Sequence, residues 1–277
     1  MKNLFKLTTL LLLTFFVNTS AQSSTFGNIS YKKATNISGK QRMLSQRIAK
    51  IYLIQQAGAT GTELNKELNS SIQLFARNLT ILENNAVKSS AKVKSHIKKE
   101  KAQWKLFRSK IESSSKPSVL EILSISNELL KKAHSLVLAI EEESKFNKEI
   151  SSHNYNDQLK VETVNISGKQ RMLSQRLCLY YAACRLFRRD KKNAGELCNE
   201  VEKVFNEMNT SLNYLLINDL NTFTIEENIG KILGLFTEIE NNKRDFYNNK
   251  LPLSRVMDLS NNVTNLYNVI TGQYASL

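Results

Sequence analysis

Apolar residues recur along this chain at intervals of three, four and seven, the spacing that gathers side chains on one face of an α-helix. Ile37, Leu44, Ile48 and Ile51 mark a first stripe of this kind. Gly58 and Gly61 end it, and Thr62-Glu63 opens a second helix with a capping hydroxyl and an early acid. Phe75, Leu79 and Leu82 form the buried side of that helix. A third helix is predicted over residues 91–112, with Ile97, Trp104, Leu106 and Ile111 turned inward. A fourth opens at Pro117, where a missing N–H does no harm, and continues through Leu123, Leu130 and Val137.

The second half of the chain answers these marks. Gly195 and Glu196 stand where the first turn belongs, and Met208, Leu212 and Leu215 echo Phe75, Leu79 and Leu82. Ile239 and Phe246 keep the gap of Ile97 and Trp104, Pro252 answers Pro117, and Ser260-Asn261 answers Ser126-Asn127. The strongest echo is literal. Residues Asn36 to Arg47 read NISGKQRMLSQR, and the same twelve letters return 129 positions later, from Asn165 to Arg176. Such identity marks a duplication. Helices of this length are weak alone and need a partner face. The fold expected is therefore all-α, two tandem four-helix bundles over residues 28–143 and 157–277. Neither Gly nor Pro interrupts Ser118 to Ser167, so one long helix joining the bundles end to end is one arrangement. The polar run Ser151 to Asp157 is poor in helix formers and favours a hairpin instead. Only the hairpin brings the two copies of the repeat together.

Residues 1–21 read as a secretory signal: Lys2 and Lys6, an apolar run from Leu7 to Val17, then Thr19-Ser20-Ala21 as a small-residue cleavage site. The run is short for a membrane span, which takes roughly 20 residues, so a periplasmic or secreted product is expected, with an uncleaved anchor as the alternative. The net charge of +14 attracts anions or an anionic surface. An exported chain without clusters of basic and aromatic residues argues against nucleic acid. Three cysteines, Cys178, Cys184 and Cys198, all fall in the second half. An oxidising compartment allows one bridge. Cys184 and Cys198 flank a helix-to-helix turn symmetrically and are the disulfide candidate, against a reading of all three as small apolar fillers.

The repeat carries the chemistry. On a helix, Ile37, Gln41, Leu44, Ile48 and Ile51 face their own bundle, while Ser38, Arg42, Ser45, Ala49 and Tyr52 form a neighbouring stripe of mostly small residues that another helix can approach. Gly39 thins the helix beside Arg42, and Ser167, Gly168, Arg171, Ser174 and Cys178 reproduce the arrangement. Burying an unpaired charge costs several kcal/mol, and the motif holds no Asp or Glu. The missing partner is then an external anion. The planar fork of a guanidinium matches nitrate, nitrite or a carboxylate. The bland alternative is a solvated arginine on an amphipathic helix. Arg47 and Arg176 point elsewhere and read as surface or structural groups, and Lys40 and Lys169 as solvated ones.

The pattern Asn-x-x-Gly-x-x-Arg-Met-x-Ser-x-Arg at 36–47 and 165–176 resembles the P-box of bacterial nitrate/nitrite sensor kinases. It is also similar to the PilJ-type domain at the N-terminus of type IV pili methyl-accepting chemotaxis transducers. The resemblance implies a four-helix extracytoplasmic sensor domain whose first P-box arginine binds nitrate where the first helices of two subunits meet. Carried over by position, Arg42 and Arg171 take the ligand, Gly39 and Gly168 lie beside it, and Asn36 and Asn165 stand at the start of the site, with Ser45 and Ser174 one turn beyond the arginines. The relatives relay their signal through a second transmembrane helix, which this sequence does not show, so a separate membrane receptor or kinase is the implied partner. One chain with two modules builds internally the site that relatives build by dimerising; an oligomer is left open.

His96, His134 and His153 lack metal-ligand spacing. No nucleophile and base pair and no phosphate loop is visible, so neither an enzyme nor a cofactor is expected. Two readings stand: a sensor-type binding protein for a small oxyanion, and a structural or protein-interaction module without a ligand.

Overall fold

The computed structural model describes residues 25–115, 117–149, 155–187 and 191–277. The signal-sequence reading of residues 1–21, and residues 151–154 of the polar run, lie outside them. Among the described residues eight long helices carry the fold: α1 (Tyr31–Gln56), α2 (Thr62–Asn85), α3 (Ala91–Ile111), α4 (Val119–Glu149), α5 (Tyr155–Leu186), α6 (Lys191–Leu216), α7 (Phe223–Asn241) and, after the short α8 (Lys243–Tyr247), α9 (Leu253–Ser276). Among the described residues there is no β-strand, and the class is all-α.

Local chemistry sets the helix ends. Ser30, Ser90 and Thr222 cap α1, α3 and α7, each side chain accepting from the backbone N–H three residues on. Ser118 does the same for Glu121, so α4 starts beyond Pro117 rather than on it. The turn from α1 to α2 needs the left-handed backbone of Gly58 (φ 92°) and Gly61 (φ 156°).

Within each half the first helix packs against the second and fourth, and the third packs on the fourth: α1 with α2 and α4, α5 with α6 and α9, α3 on α4, α7 on α9. The most extensive pairing, however, joins the halves, where α1 lies along α5. The buried apolar side chains form one continuous core from Phe26 to Tyr274. α1 and α5 run parallel and in register, so that residues of one sit beside their repeats in the other. Arg176 on α5 reaches Gln46 on α1, and the guanidinium ends of Arg42 and Arg171 both lie against Gly39 and Gly168. This is the side-by-side arrangement.

Three details depart from the sequence reading. Leu106, expected inward, is 46 % exposed, while Phe107 takes the buried place. Ile239 closes α7 and Phe246 lies in α8, so the pair does not occupy the mid-helix positions of Ile97 and Trp104. Gly195 falls inside α6, which begins at Lys191.

Candidate functional site

Being central, α1 and α5 are buried nearly all round, and both repeat segments lie where the two helices touch. Ser38, Arg42, Ser45 and Ala49 are buried there, as are Ser167, Arg171, Ser174 and Cys178, with the Ser174 hydroxyl meeting Thr264 of α9. The result is two buried guanidiniums side by side: Arg42 is 1 % exposed and Arg171 0 %. A Cβ placed on Gly39 would lie 3.1 Å from Arg171 Nη2 and 3.5 Å from Arg42 Nη2, and one on Gly168 3.0 and 3.5 Å from the same atoms. Both glycines therefore leave room for both charges.

Each arginine crosses to the other half. Arg42 Nη2 donates to the Asn165 carbonyl (3.1 Å), and Arg171 donates from Nη1 to Asn36 Oδ1 (2.8 Å) and from Nη2 to the Asn36 carbonyl (3.4 Å). Each also meets the fourth long helix of its own half: Arg42 Nη1 lies 3.3 Å from His134 Nδ1, and Arg171 Nη1 donates to Asn268 Oδ1 at 3.4 Å. His134 and Asn268 are separated by the offset that relates Ser126 to Ser260, so they are equivalent positions. The two sides differ chemically. Asn165 Nδ2 donates to Glu141 Oε2 (2.7 Å), which brings a carboxylate near Arg42; Ala275 stands at the equivalent place on α9.

Burial, the largest influence, lowers the Arg42 pKa to about 10 against the partial support of Glu141. Burial and then the repulsion of Arg42 lower Arg171 further, to about 9. Both remain cationic at neutral pH. Among the described residues neither forms an ion pair, and the Nε of each is buried without a partner. Ser38 Oγ, Thr35 Oγ1 and Asn165 Oδ1 are likewise buried and unpartnered. Ser45 and Ser174 are turned back on their own helices and donate to the carbonyls of Arg42 (2.8 Å) and Arg171 (2.9 Å).

Arg47 and Arg176 lie apart from this pair. Arg176 donates to Asn127 Oδ1 (2.8 Å), Gln46 Oε1 (3.3 Å) and Tyr180 Oη (2.9 Å) and stacks over the Tyr180 ring, while Arg47 sits 3.6 Å from Glu67. Lys169 pairs with Glu207 at the surface. Sequence reasoning missed His134, Asn268, Glu141 and a further buried cation, Lys50. Its Nζ donates to Asn261 Oδ1 (2.7 Å), lies 3.7 Å from Glu67 Oε1, and is held below the usual lysine range by burial. The offset between Ser126-Asn127 and Ser260-Asn261 was the available signal for His134 and Asn268. Lys50 has no counterpart, because Leu179 occupies its place.

Residues 28–133, from the start of α1 into α4, match the family model described as PilJ, the N-terminal part of type IV pili methyl-accepting chemotaxis transducers. No curated protein and no solved structure matches the chain. The PilJ match covers the first copy of the repeat and Arg42, Gly39 and Asn36 with it, and ends one residue before His134. No described helix is long and apolar enough to cross a membrane.

Proposed function

We propose that the protein is an exported, non-enzymatic sensory module that binds a small planar oxyanion, nitrate, nitrite or a carboxylate, between Arg42 and Arg171. Its occupancy is read by a separate membrane receptor or kinase. In this reading the motif at 36–47 and 165–176 is a P-box, and residues 28–143 and 157–277 are two tandem PilJ-type modules. The PilJ match of the first supports the class, and the literal repeat at the start of α5 extends it to the second.

One observation carries the reading: two fully buried guanidiniums share a glycine-lined contact without a carboxylate on either, and each keeps an unpartnered Nε–H. An oxyanion bridging those N–H groups satisfies both donors and relieves the repulsion between the charges. Ligand and helix contact then favour each other, since an anion binds best to the state that brings the arginines together. Calorimetry of the purified chain against nitrate, nitrite and acetate tests this, with Arg42→Ala plus Arg171→Ala as the control. Binding that survives the double substitution removes the site.

A second reading is favoured by the bonds from each arginine to the Asn165 and Asn36 carbonyls. Here the pair only docks the halves. It expects no anion binding and a large loss of stability in the double variant.

A further inference from the structure

Three large apolar side chains stand well out of the surface. Val87 is 73 % exposed, Ile217 83 % and Phe223 82 %, against at most 48 % for any other large apolar residue among those described. Apolar residues scattered singly over a surface are ordinary, but these three share one end of the molecule. Val87 lies in the turn Ala86–Lys88 between α2 and α3, and Ile217 and Phe223 bound the link between α6 and α7, the same connection in each half. Asn28, just before α1, donates its backbone N–H to Asn85 Oδ1 at 2.9 Å, and Asn218 Nδ2 donates to Thr163 Oγ1 near the start of α5 at 3.3 Å. Because α1 and α5 are parallel and in register, both connections lie at the end where those helices begin. The opposite end is closed in the second half by a disulfide between Cys184 and Cys198, whose Cα atoms are 5.3 Å apart. Its most exposed large apolar residue among those described is Leu120, at 46 %.

The exposure is built in. Asn221 Nδ2 donates to the Leu215 carbonyl at 2.8 Å, Asn221 Oδ1 accepts from Tyr274 Oη, and Asn218 Oδ1 accepts from the Leu220 N–H at 3.0 Å. These bonds fix the course of the link, so that Leu220 packs on the core while Ile217 and Phe223 stay in solvent on either side of it. Tyr214, one turn before Ile217, is exposed as well. Around Val87 the polar surface is basic. Lys88, Lys94 and Lys98 are exposed and, unlike Lys92 with Glu142, form no ion pair among the described residues. Asp219 and Glu226 stand beside the other link, so the basic collar belongs to Val87 alone. The described chain also begins at this end, directly after the sequence that holds the apolar run Leu7 to Val17.

We propose that this end of the bundle docks on an anionic lipid bilayer, with Val87, Ile217 and Phe223 entering the acyl boundary and Lys88, Lys94 and Lys98 meeting phosphate headgroups. A protein partner needs a contiguous patch of about 800 Å² on each side, whereas a fluid bilayer accepts separate protrusions. A tyrosine behind an apolar tip and lysines beside one belong at headgroup depth. The bundle then stands upright on the membrane, and an anchor kept at residues 7–17 would enter the same surface as the tips. The docking surface is separate from the arginine pair, and its test needs no anion.

The test is the full chain carrying Phe223→Trp, titrated with vesicles of equal parts phosphatidylglycerol and phosphatidylcholine and followed by tryptophan emission. The one native tryptophan, Trp104, is buried, and Leu233→Trp on the outward side of α7 is the control. Emission from Phe223→Trp is expected to move to the blue and to be quenched by lipids brominated along the acyl chain, with Leu233→Trp unaffected by either. Adding Val87→Ser or Ile217→Ser should weaken the partition roughly tenfold. Each of Lys88→Gln, Lys94→Gln and Lys98→Gln should weaken it about fivefold, and none should change it on phosphatidylcholine alone. No shift at millimolar lipid, equal quenching of both introduced indoles, or a partition indifferent to Val87→Ser and Ile217→Ser overturns the proposal. Self-association in lipid-free sedimentation that Ile217→Ser abolishes would give the tips to a second copy and overturn it too. All the substituted side chains are exposed, so the fold does not depend on them.

Discussion

Glu100 lies on the inward face of α3, in line with Val93, Ile97, Trp104 and Phe107, and both of its carboxyl oxygens are buried without a partner. Burial alone raises its pKa to about 8 from an ordinary value of 4.5. The folded chain therefore keeps the proton that the unfolded chain has lost, and stability is full below pH 4.5 and falls as pH rises through 8. Each pH unit in that window removes about 1.4 kcal/mol, so near pH 7 the carboxyl costs about 3 kcal/mol relative to a neutral side chain. Glu100→Gln keeps the shape and removes the titration. Urea unfolding of both proteins from pH 4.5 to 8.5 is the assay. The variant should match the parent near pH 4.5, gain roughly 3 kcal/mol by pH 7, and level off above pH 8. Near pH 7 that gain corresponds to a rise in melting temperature of roughly 6 to 12 °C for a chain of this size. Two stability curves that run parallel across the whole range would refute the account of a neutral acid in the core.

Replacing Cys184 and Cys198 together by Ser should lower stability by about 3 kcal/mol, the loop entropy of a short bridged segment; a reductant added to the parent should reproduce the loss in the same unfolding assay. Gly39→Ala and Gly168→Ala each place a methyl against Arg171 Nη2. Since alanine also favours the helix by about 1 kcal/mol, stability should change little while nitrate affinity in calorimetry falls severalfold; an unchanged affinity would place the ligand elsewhere. Nitrate binding should change little from pH 6 to 8 and weaken as pH rises through about 9, where Arg171 is half deprotonated; repeating the titration at each pH checks this.

The helices were legible because their interruptions were: Gly58, Gly61, Pro117 and Pro252 punctuate long amphipathic runs. The arginine pair was legible because an exact repeat without an acid leaves a charge to be explained. Other features left no such mark. Glu100 and Lys50 look like surface residues in a lysine-rich chain, and only the packing of α3 among its neighbours and of α1 beneath α9 and α2 buries them. Leu106 reads as core by composition, yet the helical period turns it outward next to Phe107. The second half departs from the first at α8, so matching Phe246 to Trp104 by spacing alone crossed an insertion that the repeat did not announce.

The parallel seating of α1 against α5 has a consequence for how the protein works in dilute surroundings. Two arginines brought together by separate subunits part on dilution, but here they are tethered within one polypeptide at a fixed local concentration. Such a site stays assembled however few molecules are present. Its two walls are encoded separately, so each can mutate without altering the other, as histidine opposite asparagine already shows.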